Sequence, residues 1–457
     1  MNLKRYFGAR AFYKTVLTVA MPIMLQNLIT NFVSMLDNIM VGALGTEQMS
    51  GVSIVNQIGF IYILALFGGM SGVGIFTAQF YGKKDAQGVA YTVRFKLIVA
   101  LLTCLAGGLV LFFFDDQLIS LFLHESGSEG DIALTLEFGK TYLRHYLVGL
   151  LPIALVQAYA STLRETGNTF VPMAAGMAAV AANCLFNYLL IFGKFGLPAL
   201  GVTGAAVATN ISRVLEMGVL LVYIVVKRRQ HPWFFNREGK LPGALVRSMV
   251  LKGSPLLINE VLWSSGMSAL SVAFSLHGLD VVAAYSISST VTNLFSVSFL
   301  AMGVSIGIIV GQNLGAGKYR TAIDNVRKLF MFTTLLSIGV GVVMFACGHV
   351  VTRFYNTTDT VKDLAAYLIR VYAFVMPLHA ITNASYFTLR SGGKTLITFL
   401  FDSCSVWFLM VPSAFALFYF AHLGIHALYP AVMGLEILKV VLGLVLVKKK
   451  IWMRTIV

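Results

Sequence analysis

Six residues with oxygen-bearing side chains stand inside long apolar runs, where each is costly unless it has a task or a partner. Asp37 lies in Ser34-Met35-Leu36-Asp37-Asn38. Asn183 and Asn187 are four apart, which puts both amides on one face of a helix. Thr209 follows in the next run. Glu260 and Asp402 lie in two later runs, in Asn259-Glu260-Val261 and Phe401-Asp402-Ser403. Carboxylate, amide and hydroxyl oxygens together suit Na+. A desolvated carboxyl suits H+. The competing reading is a static hydrogen-bond cluster that holds three helices together.

The elements that must position these residues are membrane spans. The chain has 457 residues, of which 58% are hydrophobic and only 12% charged, so it has too little charge to cover a soluble surface. A mean hydropathy of +0.81 points to lipid as the solvent. Apolar runs long enough to cross about 30 Å of hydrocarbon occur near 15–41, 52–80, 91–114, 138–160, 170–193, 201–226, 247–276, 281–311, 325–348, 364–389, 396–420 and 425–447. The expected fold is an all-α integral membrane protein of twelve transmembrane helices, in two pseudo-symmetric six-helix bundles.

The net charge of +15 forms no single patch, which argues against a nucleic-acid partner. The bases cluster between spans: Lys4, Arg5, Arg10 and Lys14; Lys83, Lys84, Arg94 and Lys96; Arg164; Lys227 to Lys252; Lys318 to Lys328; Arg390 and Lys394; Lys448 to Arg454. With twelve spans all of these fall on one side. The opposite loops hold Lys194, Arg353, Lys362 and the acids Asp115, Asp116, Glu125, Glu129 and Asp131. Both termini are therefore expected in the cytoplasm, with the chain in the plasma (inner) membrane. The first run is far longer than a signal-peptide core and is read as a span.

The chain repeats itself. From Pro22 it aligns with the segment from Pro255 at an offset of 233, pairing Gly45 with Gly278, Gly74 with Gly307, Gln79 with Gln312, Gly82 with Gly315 and Arg94 with Arg327. Thr162-Leu163-Arg164 later matches Thr388-Leu389-Arg390 at an offset of 226. Shared glycines read as turn residues. Residues 1–226 and 248–457 form the expected lobes, joined by a cytoplasmic linker, 227–247. An even number of spans per repeat gives both lobes the same orientation, as alternating access requires. The acids are not duplicated: Asp37 aligns with Leu270, and Glu260 with Asn27. The halves thus divide roles, with Glu260 and Asp402 as an acidic site in the second.

Arg213 with Glu216, and Glu436 with Lys439, are spaced three apart for pairing along one helix. Pro22, Pro152, Pro172, Pro255, Pro377 and Pro412 lie in or at the ends of spans, where each favours a kink. Cys104, Cys184, Cys347 and Cys404 lie in apolar runs with no CxxC spacing, and read as small packing residues. No HExxH, nucleophile elbow in a suitable context or Walker-A loop occurs, so an enzyme or direct ATP drive is not expected. No cofactor is expected beyond H+ or Na+ as a coupling ion, with Na+ near Asp37.

Several of these stretches together resemble the multidrug and toxic compound extrusion family, and the likeness covers nearly the whole chain. They are Met35-Leu36-Asp37-Asn38-Ile39-Met40-Val41-Gly42, Ala78-Gln79-Phe80-Tyr81-Gly82, Leu163-Arg164-Glu165-Thr166-Gly167-Asn168, Gly201-Val202-Thr203-Gly204-Ala205, and Gly311-Gln312-Asn313-Leu314-Gly315. The resemblance implies cation-coupled export of small organic, often cationic, drugs or metabolites. It makes Asp37 a coupling residue, with Asn183, Asn187 and Glu260 at the family's fifth- and seventh-span positions. Some members carry Asp where this chain has Asn187. The partners it implies are small organic substrates and membrane lipids, and one chain contains a complete pathway. A flippase for lipid-linked oligosaccharides is the alternative, but it would carry extra spans or a strongly basic cleft.

Overall fold

The computed structural model describes residues 6–123, 132–236, 238–355 and 357–457. Lys4, Arg5, Glu125, Glu129, Asp131 and Arg237, used above for orientation, lie outside the described residues. Among the described residues twelve helices are long and apolar enough to cross a membrane. They are α1 (Arg10–Gly42), α2 (Thr46–Gly82), α3 (Ala86–Phe113), α4 (Ile132–Glu165), α5 (Phe170–Phe192), α6 (Gly201–Val226), α7 (Gly243–Ser275), α8 (Leu279–Gly315), α9 (Tyr319–Thr352), α10 (Asp359–Ser391), α11 (Thr395–Tyr419) and α12 (Ile425–Lys448). Most exceed the apolar runs that predict them, because the helices continue past the hydrocarbon into the loops. A short helix, Asp115–Ser120, follows α3, and a 3-10 turn, Pro232–Phe234, lies between α6 and α7.

The outer faces are apolar. On α3, Ile98, Leu101, Leu102, Leu105, Leu109, Phe112 and Phe113 are all exposed, a helical stripe that is stable only against lipid. Inside a helix every backbone group but those at the ends is satisfied, so lipid-facing side chains are the sole remaining constraint there.

Two compact units form. One comprises Leu25–Thr77 and Ala86–Arg247. Its α5 and α6 pack along each other, α4 packs on α6, and α3 on α4. Val55, Leu66, Met70, Leu143, Leu150 and Ala206 fill its interior. The other unit comprises residues up to Met24, Ala78–Asp85 and Ser248–Val457. There α10 packs on α8, α9 and α12. Leu270, Phe274, Leu368, Met410, Leu428 and Val432 form the core.

The last turn of α2 counts with this second unit, where it meets the end of α8. A Cβ on Gly82 would stand 1.9 Å from the Gln312 carbonyl oxygen, and one on Gly315 would stand 1.9 Å from that of Gln79. The matched residues of the repeat thus contact each other reciprocally, as in a two-fold interface inside one chain. These glycines are helical and serve close approach. Gly45 and Gly278 are turn residues, with φ of 143° and 108°. Gln79 also donates to the Ser391 carbonyl at 2.9 Å and accepts from the Ile456 amide at 2.8 Å.

Helix α11 departs from regular geometry. After Thr395–Phe399 it runs as two π-helical segments, Leu400–Cys404 and Val406–Met410, before returning to α-helix. Such segments re-aim side chains and are common at functional sites.

Candidate functional site

Asp37 sits one and a half turns before the end of α1. Asn187 Nδ2 donates to its Oδ1 at 2.6 Å. Asn183 stands 3.3 Å from Asn187 Nδ2 and, through the other end of its amide, 3.3 Å from the Thr209 hydroxyl. The i, i+4 spacing on α5 thus aims both amides at one carboxylate, and α6 closes the cluster with Thr209. Asn183 is 7% exposed and Asn187 1%. All four sequence-predicted residues of the first half come together.

With its nitrogen turned to Asp37, the Asn183 amide donates to both carboxylate oxygens, at 2.8 and 2.9 Å. Oδ1 of Asn187 is buried without a hydrogen-bond partner.

Arg213 acts on Asp37 electrostatically and is bonded to Glu216 at 2.9 Å, the expected i, i+3 pair. Tyr142, on α4, also lies in the electrostatic reach of Asp37 and Arg213, and donates to Asn56 at 3.4 Å. Neither Tyr142 nor Asn56 stands out in the sequence, since a single Tyr or Asn in a long apolar run has no spacing that marks a partner.

The expected acidic pair of the second half is arranged differently. Asp402 accepts from Lys439 at 3.3 Å and from Asn259 at 3.1 Å. Ser403 in turn donates to Asn259 Oδ1 at 2.7 Å. Glu260 is within the electrostatic reach of Arg390 and Asp402, and no hydrogen bond joins it to Asp402. The reason is the π-helical start of α11, which turns Asp402 toward α12. Lys439 therefore divides itself between Asp402 and Glu436, the latter at 3.9 Å, and is not simply an i, i+3 partner.

Lys96, read above as a loop cation, is fully buried. It pairs with Glu165 at 2.5 Å and donates to Ser161 at 3.0 Å. Gly74 makes room for this pair: a Cβ there would stand 2.2 Å from a Glu165 oxygen. A cation one turn inside a span is tolerated when a carboxylate reaches it from the next helix.

The family model described as MatE matches the chain twice, over residues 22–189 and 255–416. The chain belongs to the MatE family. The two matched segments begin at Pro22 and Pro255, the starts of the internal repeat. MatE proteins are transporters, not enzymes. The chain is 25% identical to the probable multidrug resistance protein NorM of Thermotoga maritima over 417 residues, covering 90% of this chain and 87% of the relative. It is 26% identical to the multidrug resistance protein PmpM of Pseudomonas aeruginosa over 424 residues, covering 91% and 86%. The fold resembles the outward-facing conformation of a multidrug resistance MATE family transporter of the MOP superfamily, with a TM-score of 0.87, 18% identity and coverage of 98% and 97%.

Proposed function

We propose that this MatE protein is a secondary active exporter that exchanges H+ for small organic molecules, often cationic drugs or metabolites, by alternating access. Residues 1–226 and 248–457 act as its two lobes and 227–247 as the linker. It works as a monomer in the plasma (inner) membrane, in contact with its lipids and with both termini in the cytoplasm. The names of the relatives support drugs as the substrate class.

One observation carries the coupling: Asp37 is a carboxyl inside a membrane helix whose hydrogen-bond partners, the amides of Asn187 and Asn183, are neutral. A proton arriving on Asp37 removes the negative charge that the two amide N–H groups stabilise. Its departure reverses the change. That is a two-state element on α1, α5 and α6, biased by one proton. Asn187, Asn183 and Thr209 hold the carboxyl, and no second acid is in the cluster.

Na+ is the competing coupling ion, supported by the unpartnered Asn187 oxygen beside Asp37. The two are separated in proteoliposomes by following a fluorescent organic cation such as ethidium under H+ or Na+ gradients imposed one at a time. Uptake driven by ΔpH alone is the expected result. Uptake driven by Na+ alone, at constant pH on both sides, assigns the site to Na+. No uptake under either gradient removes the exporter reading for this probe.

A further inference from the structure

The linker after α6 does not run as a loose loop. It folds against α3 and shapes an open cleft of about 860 Å3, lined by Arg228, Arg229, Pro232, Phe235, Asn236 and Glu238. The walls are tied down within one compact unit. Arg94, on α3, donates to three linker carbonyls, those of Asn236 at 2.8 Å, Glu238 at 2.8 Å and Gly239 at 2.7 Å. Gln87, about two turns earlier on α3, donates to the Glu238 carbonyl at 2.7 Å and accepts from the Asn236 side chain at 2.5 Å. On the other side the 3-10 turn is anchored by the buried Trp233 and by Phe234, whose ring lies 5.8 Å from that of Tyr159.

Two bases offer their donors to this cleft. Arg228 and Arg229 are exposed, and among the described residues neither forms an ion pair. The guanidinium carbon of Arg228 stands 4.9 Å from the centre of the Phe235 ring. Contact through the ring face holds the side chain in place and leaves its N–H groups for another partner. A guanidinium so held presents a fork that fits two oxygens of one phosphate. Glu238 is the acid of the lining and works against an anion there.

The cleft lies at the edge of the hydrocarbon. The last turn of α6 exposes Val222, Val225 and Val226, a face that is stable against lipid tails. Arg229 follows Val226 by three residues, about 5 Å along the axis. The headgroup layer is about 5–7 Å deep on each side of the hydrocarbon. A phosphodiester at that depth is level with both guanidinium groups, and its acyl chains run beside the valines. A free anion would meet the same bases but would make no use of the valine face.

We propose that this cleft binds the headgroup of an anionic phospholipid. Arg228 and Arg229 hold the phosphodiester, Phe235 positions Arg228, and the tails lie along Val222 and Val226. A bound headgroup ties the end of α6 to the linker and, through Arg94, to α3. The site goes beyond the proposed exchange and takes from it only the cytoplasmic leaflet as the source of the lipid.

The test is native mass spectrometry of the full chain released from detergent and titrated with phosphatidylglycerol or phosphatidylcholine. The tightest phosphatidylglycerol adduct is expected to bind roughly tenfold or more tightly than phosphatidylcholine. Arg228→Gln and Arg229→Gln should each weaken it by roughly fivefold, and Glu238→Gln should strengthen it by up to about the same factor. As a control, Lys449→Gln with Lys450→Gln removes two exposed bases just after α12 and should leave it unchanged. An excess of inorganic phosphate should not displace it. Equal affinity for the two lipids overturns the proposal. So does a loss from the lysine pair as large as that from Arg228→Gln with Arg229→Gln, which would make the attraction one of bulk charge. Displacement by phosphate also overturns it and gives the cleft to a free anion. Transport is not measured, so failure here is distinct from failure of H+ exchange through Asp37.

Discussion

The two halves share a plan and differ in how they treat a buried charge. Arg213 on α6 and Lys439 on α12 lie inside the last helices of the two halves, each three residues from an acid. The acids around these cations are arranged differently. In the first half Glu216 is bonded to Arg213, and Asp37 is left to two amides. In the second half Lys439 is shared by Asp402 and Glu436, and a histidine stands on the far side of Glu436. A carboxyl held by neutral amides can change charge with little rearrangement. One held by a lysine is fixed, because its neutralisation would strand the cation. The duplicated scaffold thus holds a carboxyl among neutral amides in one half and an ion-paired network in the other.

Substitutions at these two cations are the strongest way to break this contrast. Lys439 is 7% exposed and its two acids depend on it, so Lys439→Gln should destabilise the protein by about 3–5 kcal/mol. Arg213 is 37% exposed, and Arg213→Gln should cost only about 1 kcal/mol or less. Thermal unfolding in detergent measures both, and equal losses would contradict the division of roles.

Lys96 offers a control within the first half, since its pair is fixed rather than switchable. Lys96→Met alone should cost about 3–5 kcal/mol by removing the cation buried beside Glu165, while Lys96→Met with Glu165→Leu should recover most of it. A double variant as unstable as the single one would show that the loss is packing, not charge.

The reciprocal crossing of α2 and α8 should tolerate no side chain. Gly82→Ala or Gly315→Ala forces the helices apart at a backbone carbonyl, with an expected cost of about 1–3 kcal/mol and raised reactivity of a cysteine placed at either end. Unchanged labelling and stability would mean that the contact yields freely. The smallest effect belongs to Thr209→Val, which removes one neutral hydrogen bond from Asn183. It should lower transport a few-fold, in line with about 0.5–1.5 kcal/mol, and a complete loss would raise Thr209 to a direct role.

Much of this was legible in the sequence where the signal is local or periodic. Twelve apolar runs give twelve helices, and the repeat starting at Pro22 and Pro255 coincides with the two family matches. Asn183 and Asn187 are one turn apart, so their common face followed from spacing alone. Asp402 was not legible in this way. A π-helical turn shifts the register by a residue, or about 100° of helix rotation, and periodicity cannot foresee it. Lys96 looked like a loop cation because its acid, Glu165, is 69 residues away. His379 is an ionisable side chain within an apolar run, but its neighbour Glu436 lies in another helix.

The most direct test of coupling through Asp37 compares two modes of transport in the same proteoliposomes. Wild type and Asp37→Asn are assayed for ΔpH-driven accumulation of ethidium and for its exchange with no gradient imposed. Coupling through this carboxyl predicts that Asp37→Asn loses accumulation by roughly 100-fold, the scale of a lost charge-assisted interaction, while still binding the dye. Accumulation at the wild-type rate in Asp37→Asn would contradict it.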